Sequence, residues 1–543
     1  MQENKNSRKF KTFFNASVSE FAKTGFFRQF KSIVKGVLQT AIMLLCSTLA
    51  SSNAQDLGET PDTGYADSTP LEAQVSRRGA SADSIPKGGA GLFALLAKQK
   101  YPVSKVGVVL RDCNTDSNMV GLNADSFFNP ASVSKLLTAT MAFDKLGSKF
   151  SFKTLIYMDG PFDPATGVCQ GNLYIRGNGD PSLFAERLWL FVQHLSCVGI
   201  KTVTKDIVLD DSYFDSTMIG PGFYEESSDN PYMAPVNALS ANFNCVSIWA
   251  RPGANVGDAV YTDMLPKAGD IDFSSSAKTV APGSAQRFSI IARNMQKSTS
   301  IVVAGAMSKG APEKVEYCKI WQPREYFAQV LKVLFTTSSI NVKGTFRTGI
   351  VPESLKKMPP FYVFPSLPLS DIITDMMKYS SNFTAEMIFK SLSAQRDSGN
   401  GSWPASAQMA LDWWKSQGLV GSPRILNGSG MGNSNRYSCR QIADLLSYVY
   451  TRKSYYPEFL YALPNAGVDG TLKSRFKHSR FRGILRGKTG TLNDFGVSAI
   501  AGYILHAKKT YAFAIVINNC QNKKPYQHWE LQERILDLIV PRN

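Results

Sequence analysis

The sequence predicts an α+β protein in which one discontinuous domain is interrupted by a large β-rich insertion. Three observations lead there. After residues 129–135, Leu136, Leu137, Ala139, Met141, Ala142 and Leu146 recur at helical spacing. Residues 150–317 read instead as short alternating or apolar runs between Gly, Pro, Asp and Ser clusters, the pattern of strands and turns. From residue 318 helical periodicity returns, and the chain closes on two strands, 497–504 and 510–518, and a last helix at 529–539. A chain of 543 residues, 43% hydrophobic and 19% charged, is an ordinary globular composition and too long for one simple core.

In chain order, residues 1–35 are rich in Lys and Arg against only Glu3 and Glu20. An apolar run follows over 36–49, too short to span a bilayer comfortably, and then Ser52-Asn53-Ala54 offers a cleavage site before Gln55. Residues 1–54 are therefore expected to be a secretory signal with a long basic lead, a retained membrane anchor being the alternative. Residues 55–88, built of Gly, Ser, Thr, Asp, Pro and Ala, are expected to be a flexible linker. The catalytic domain is expected over 89–149 and 318–543, with 150–317 inserted. Of the formal net charge of +17, residues 1–54 hold +6, and the +11 left on the exported part would draw it to cell-wall polyanions or a membrane surface. No nucleic-acid-binding motif accompanies that charge. The eight cysteines scatter without a C-x-x-C pair, so no zinc-ligand spacing is present and their pairing is not legible.

Order is expected to begin with a helix at 92–97, a strand at 106–110 and a turn at Asn114-Thr115-Asp116-Ser117. Strands are expected in the insertion at 152–157, 172–176, 202–209, 246–250, 287–292 and 301–304. Helices follow at 323–335, along a long stretch 369–392, and at 405–417 and 439–450.

The chemistry-bearing stretch is Asn129-Pro130-Ala131-Ser132-Val133-Ser134-Lys135. Pro130 suits a first helical turn, and Ser132 and Lys135, three apart, share a helix face. A hydroxyl beside an amine is a nucleophile with a built-in base, provided the amine is desolvated enough to lose its charge. The pattern alone decides nothing, because Ser32/Lys35, Ser84/Lys87, Ser275/Lys278, Ser354/Lys357 and Ser474/Lys477 repeat it. A serine hydrolase also needs a proton donor to the leaving group and an oxyanion site. The four histidines do not lie in turns rich in catalytic residue types: His194 sits in an apolar helical context, and His506 and His528 read as surface positions. Ser429 lacks the first glycine of a nucleophile elbow.

Lysine is then the remaining base, and S-x-x-K, S-D-N and K-T-G form a known set. The literal Ser228-Asp229-Asn230 lies in a polar loop of the insertion. Ser380-Ser381-Asn382 is less literal but sits between apolar helical segments, and is preferred. Lys23-Thr24-Gly25 lies in the leader. Lys488-Thr489-Gly490-Thr491 leads into the strand at 497–504, where a glycine lets a substrate backbone approach and a lysine and threonine can hold a carboxylate.

With these motifs in this order the chain resembles the low-molecular-mass class C penicillin-binding proteins, the penicillin-binding protein 4-type D-alanyl-D-alanine carboxypeptidases/endopeptidases. The resemblance covers most of residues 90–520. It is carried also by Gly177-Asn178-Gly179-Asp180-Pro181-Ser182-Leu183, Pro231-Tyr232-Met233-Ala234-Pro235-Val236 and Gly467-Val468-Asp469-Gly470-Thr471-Leu472. It implies a β-lactamase/transpeptidase-like domain, an antiparallel sheet flanked by helices. It also implies that Ser132 is acylated by peptidoglycan stem peptides or, as inhibitors, by β-lactams. By the same resemblance Lys135 takes the serine proton, Ser380 relays one to the leaving amine, and Asn382 binds the substrate amide. Lys488 and Thr489 bind the carboxylate, and the backbone at Gly490 and Thr491 approaches the substrate, with the N–H groups of Ser132 and Thr491 as the oxyanion site. No metal or cofactor is implied, and the setting is the periplasm or envelope of a bacterium. Two positions depart from the family pattern: Ser381 where aspartate is frequent, and Asn427, which opens Asn427-Gly428-Ser429-Gly430 where Asp-Gly-Ser-Gly is usual. A wall-binding protein that kept the fold and lost turnover, and a β-lactamase, are the competing readings. The presence of all the motif side chains opposes the first, and fast hydrolysis of a chromogenic cephalosporin would mark the second.

Overall fold

The computed structural model describes residues 89–542 apart from 224–229, 270, 285–286, 296–297, 398 and 507. The expected leader and linker lie outside the described residues, as do Lys23-Thr24-Gly25 and Ser228-Asp229. No helix among the described residues is long and apolar enough to cross a membrane.

The domain that carries the motifs is built on a five-stranded sheet. Its strand order is Ser117–Leu122, Val106–Asp112, Lys509–Ile517, Val497–His506 and Leu485–Leu492. All four pairings are antiparallel. Both faces are buried, and strict alternation sorts the side chains between them. Val106, Val108, Leu110, Ile500, Ile504, Phe513 and Ile515 face a core shared with the first and last helices, Gly89–Lys98 and Pro525–Ile539. Ala499, Ala501, Ala512 and Ala514 face the other way, toward the main helical core. These alanines give a flat surface on which the helix Cys439–Arg452 lies close. A Cβ on Gly107 would come within 2.7 Å of Cys439 Sγ, so this strand position has to be glycine. The helices Lys135–Leu146, Leu369–Tyr379, Asn382–Arg396 and Trp403–Ser416 complete that layer.

Two expectations need correction here. The stretch 369–392 is not one helix. Ser380 adopts a left-handed conformation (φ 59°, ψ 35°) that ends the first helix, and Ser381 caps the second by accepting from Thr384 N. Lys488-Thr489-Gly490 does not precede a strand but lies on one, at the sheet's open edge.

The insertion reaches further than residue 317. Phe346–Thr348 pairs with Ile207–Asp210, Asn341–Val342 with Thr202–Val203, and Tyr362–Pro365 with Lys153–Met158. The helix Pro323–Thr337 buries Tyr326, Phe327, Val330 and Leu331 in the same core as the helix Ala185–Cys197. Strand pairing among these elements therefore runs from Lys153 to Pro365 without a break at residue 317. The insertion is also less purely β than expected, since two helices cover its sheets and the pairings of Ile207–Asp210 with Leu173–Arg176 and Phe346–Thr348 are parallel.

Candidate active site

The nucleophile candidate Ser132 sits on a 3₁₀ turn, Ala131–Ser134, just before the helix Lys135–Leu146. Ala131 before it has φ +47°, a left-handed conformation that costs an ordinary residue about 1–2 kcal/mol. The surroundings hold it there. Asn129 Oδ1 accepts from Ala131 N at 2.9 Å, and Asn129 and Asn518 exchange backbone–side-chain hydrogen bonds of 2.7 and 3.0 Å. The turn is thereby pinned to the end of the strand Lys509–Ile517. Gly490 and Gly430 close on it from either side. A Cβ on Gly490 would meet Pro130 O at 2.7 Å and Ser132 N at 3.0 Å, and one on Gly430 would meet Ala131 O at 1.8 Å.

Lys135 is fully buried. Its Nζ donates to Ser132 Oγ at 2.8 Å, to Asn382 Oδ1 at 2.7 Å and to Ser429 O at 2.9 Å. Burial pulls its pKa down to about 7, against an opposing pull from Glu386. Burial is what separates Ser132/Lys135 from its sequence duplicates: Lys278, Lys357 and Lys477 are exposed.

Ser380, at the corner between two helices, accepts from Lys488 Nζ at 2.7 Å, and Lys488 also donates to Thr489 O at 2.7 Å. Lys488 is buried, and burial followed by the neighbouring Lys135 charge holds its pKa well below the ordinary lysine value. An arriving carboxylate would supply the missing counter-charge. Thr489 Oγ1 donates to Thr471 Oγ1 at 2.7 Å, and Thr491 stands exposed at the edge. Ser132, Lys135 and Asn382 thus form one hydrogen-bonded group and Ser380 and Lys488 a second, near enough for the Lys135 charge to act on Lys488, with Thr489, Gly490 and Thr491 on the edge strand. His528, expected at the surface, is buried and bonded to Tyr101 Oη at 3.0 Å. His194 is bonded to Tyr362 Oη at 2.7 Å in the insertion.

Several participants were not legible. The insertion reaches the site through Tyr232, whose carbonyl accepts from Asn382 Nδ2 at 3.2 Å. Phe223, Met233 and Met431 join Ala131, Leu492 and Val497 in a small apolar cluster at the nucleophile turn. Buried Glu386, one helical turn after Asn382, accepts from the loop Asn427-Gly428-Ser429. A charged residue at i+4 from the motif asparagine, between Ala385 and Met387, was the available signal.

The departures from the family pattern have physical explanations. Ser381 does an aspartate's work as helix cap. Asn427 is buried. Its Nδ2 donates to Pro221 O at 2.7 Å and Met431 O at 3.0 Å, while Oδ1 accepts from Gly430 N at 2.8 Å. A carboxylate has no N–H to give those two carbonyls. Asn427→Asp is expected to destabilise the protein by about 2–4 kcal/mol, read by urea unfolding of the two proteins side by side. The asparagines of two N-x-S/T sequons, Asn382 and Asn427, are in buried positions unsuited to a glycan.

A hydroxyl held by a dry amine at the open edge of a five-stranded antiparallel sheet defines a serine acyl-transfer enzyme of the serine–lysine kind. The chain belongs to the D-Ala-D-Ala carboxypeptidase 3 (S13) family, which matches residues 90–534, and it is a serine-type D-Ala-D-Ala carboxypeptidase. It is 28% identical over 431 residues to a D-alanyl-D-alanine carboxypeptidase of Actinomadura sp. strain R39, covering 77% of this chain and 78% of that one. It is 24% identical over 426 residues to the carboxypeptidase DacB of Haemophilus influenzae, covering 77% and 87%. The crystal structure of penicillin-binding protein 4 from Haemophilus influenzae superposes with a TM-score of 0.70 at 22% identity, over 83% of this chain and 99% of that one, and so shares the fold.

Proposed function

We propose that the chain cleaves the terminal D-Ala-D-Ala bond of peptidoglycan stem peptides, and the matching peptide cross-link, through an acyl group carried on Ser132. The observation that supports this most strongly is the fully buried Lys135 amine, 2.8 Å from Ser132 Oγ and with a pKa near 7. Neutral Lys135 takes the hydroxyl proton as Oγ bonds to the carbonyl carbon. The backbone N–H groups of Ser132 and Thr491 receive the developing oxyanion. The proton that Lys135 took is returned through Ser380, linked to Lys488, to the departing D-alanine amine as the C–N bond breaks, which leaves Lys135 neutral again. Water then attacks the ester, gives its proton to Lys135, and Lys135 hands it to Ser132 Oγ as the ester C–O bond breaks, releasing the shortened peptide acid and restoring Ser132. Asn382 orients the substrate amide, and Lys488 with Thr489 receives the terminal carboxylate. β-Lactams, amides with a comparable carboxylate, enter the same path and leave Ser132 acylated.

The same reading places the segment 153–365, which sends Tyr232 to the site rim, as an inserted unit that governs which peptides enter. It also takes residues 1–54 as an export signal or anchor that delivers the enzyme to the periplasm or envelope, where a basic surface favours the wall or the membrane.

Two measurements test the reading. Incubation with purified muropeptides followed by mass spectrometry is expected to convert pentapeptides to tetrapeptides with release of D-alanine, and cleavage of cross-linked dimers would add the endopeptidase activity. Turnover of neither substrate by folded protein would contradict it. Because the base must be neutral, the rate constant for acylation by penicillin is expected to rise with pH to a plateau above about 7. Below that it should fall by roughly tenfold per pH unit. Stopped-flow labelling between pH 5 and 9 reads this profile.

A further inference from the structure

One buried carboxylate that this mechanism does not use, Glu386, is bonded to the backbone that holds the catalytic amine. Glu386 Oε2 accepts from Gly428 N at 3.0 Å and from Trp403 Nε1 at 2.8 Å, and Oε1 accepts from Ser429 N at 2.8 Å. The other sides of the same peptides hold the nucleophile helix. Gly428 O accepts from Thr138 Oγ1 at 2.7 Å, and Ser429 O accepts from Lys135 Nζ at 2.9 Å. A two-residue strip of backbone is therefore gripped by Glu386 on its N–H side and grips the catalytic amine on its C=O side. Gly428 is pressed against the helix that carries Glu386, since a Cβ there would lie 2.6 Å from Phe389 Cβ.

Building on the proposed role of Lys135, we infer that Glu386 is a positioning residue for the reaction, aligning the Ser429 carbonyl that aims the Lys135 amine at Ser132 and setting the field in which that amine titrates. A merely structural clamp would do the first and not the second. The charged groups around the pair are few. On its own helix Lys390 follows one turn later, also fully buried, and is committed to Asp215 Oδ1 at 2.7 Å and Thr217 O at 2.8 Å beneath the Trp403 ring. Lys488 faces Lys135 from the edge strand, and the Lys135 charge opposes the protonation of Lys488. Glu386 acts in the other direction, favouring the charged amine.

The test uses the folded protein with wild type, Glu386→Gln and Glu386→Asp, measuring the rate of acylation by a fluorescent penicillin from pH 5 to 9. Glu386→Gln removes the charge and turns an acceptor into a donor facing an N–H. Its plateau rate is expected to fall by about 10²-fold, the effect of a misplaced reacting group, and the midpoint of its acidic limb to move to lower pH. Glu386→Asp keeps the charge but is one methylene short of both amides, so its midpoint is expected to stay at the wild-type value while its plateau falls. A wild-type plateau in Glu386→Asp overturns the positioning role whether or not Glu386→Gln folds. A lowered plateau with an unmoved midpoint in Glu386→Gln overturns the electrostatic role. Lys135→Met separates this inference from its foundation. If the acidic limb survives in that variant, the assignment of Lys135 as base is what fails. If the limb vanishes there and stays put in Glu386→Gln, only the present inference fails.

Discussion

Ser132→Ala is expected to abolish covalent labelling by a fluorescent penicillin and to lower D-alanine release by at least ~10⁴-fold, because no other group can carry the acyl intermediate. The protein should remain folded. Ser132 is partly exposed, and its hydroxyl accepts from Lys135 Nζ, which keeps Asn382 Oδ1 and Ser429 O when the serine is lost. A change in unfolding free energy within about 1 kcal/mol is expected from removing one such bond. Labelling and thermal unfolding measured on the same preparation separate loss of the nucleophile from loss of the fold. Labelling that persists in the alanine variant would move the nucleophile elsewhere.

Lys135→Met carries the second largest effect. Loss of a positioned general base lowers acylation by about 10²–10⁴-fold. Its pH signature matters more than its size. The rise through about 7 that titration of the amine imposes on wild type should vanish, leaving a slow reaction that tracks other groups. Stability is expected to move less than activity, because two effects oppose. Asn382 Oδ1 and Ser429 O lose a buried donor, at about 1–3 kcal/mol for each group left unsatisfied. Against that, the folded protein no longer has to keep an amine out of water, and a methionine fills nearly the same volume. Equilibrium unfolding together with penicillin labelling across pH separates the two. A Lys135→Met protein that acylates at the wild-type rate would remove lysine from the chemistry.

The central fold was legible where its cause was local. The apolar runs along 106–110, 497–504 and 510–518 and the helical period after Ser132 are each local patterns, and those elements formed nearly where expected. The site's constellation was legible for a different reason. Ser132, Lys135, Ser380, Asn382 and Lys488 are tied to short motifs whose order survives, and folding joins them in two neighbouring hydrogen-bonded groups, Ser132 and Asn382 on Lys135 and Ser380 on Lys488. What was missed is non-local. The strand at Phe346–Thr348 is short and unremarkable by itself, and it belongs to the insertion only because Ile207–Asp210 lies beside it. The break at Ser380 hides inside continuous helical periodicity, since one residue turned to positive φ leaves the apolar spacing on both sides intact. Lys135 and Lys278 share the same local spacing to a serine. Only tertiary burial takes one amine out of water and leaves the other in it. Glu386 was invisible in the same way, because its partners are backbone amides some forty residues on, contributed by a loop with no periodic pattern.

The most direct measurement is the mass of the intact protein after brief exposure to benzylpenicillin, followed by proteolysis and mapping of the modified peptide. The expected result is the addition of one inhibitor per chain, located on the peptide that contains Ser132 and absent after prior heat denaturation. An unmodified mass from folded protein, or an adduct on any other residue, would contradict the assignment of Ser132 as the acylated nucleophile.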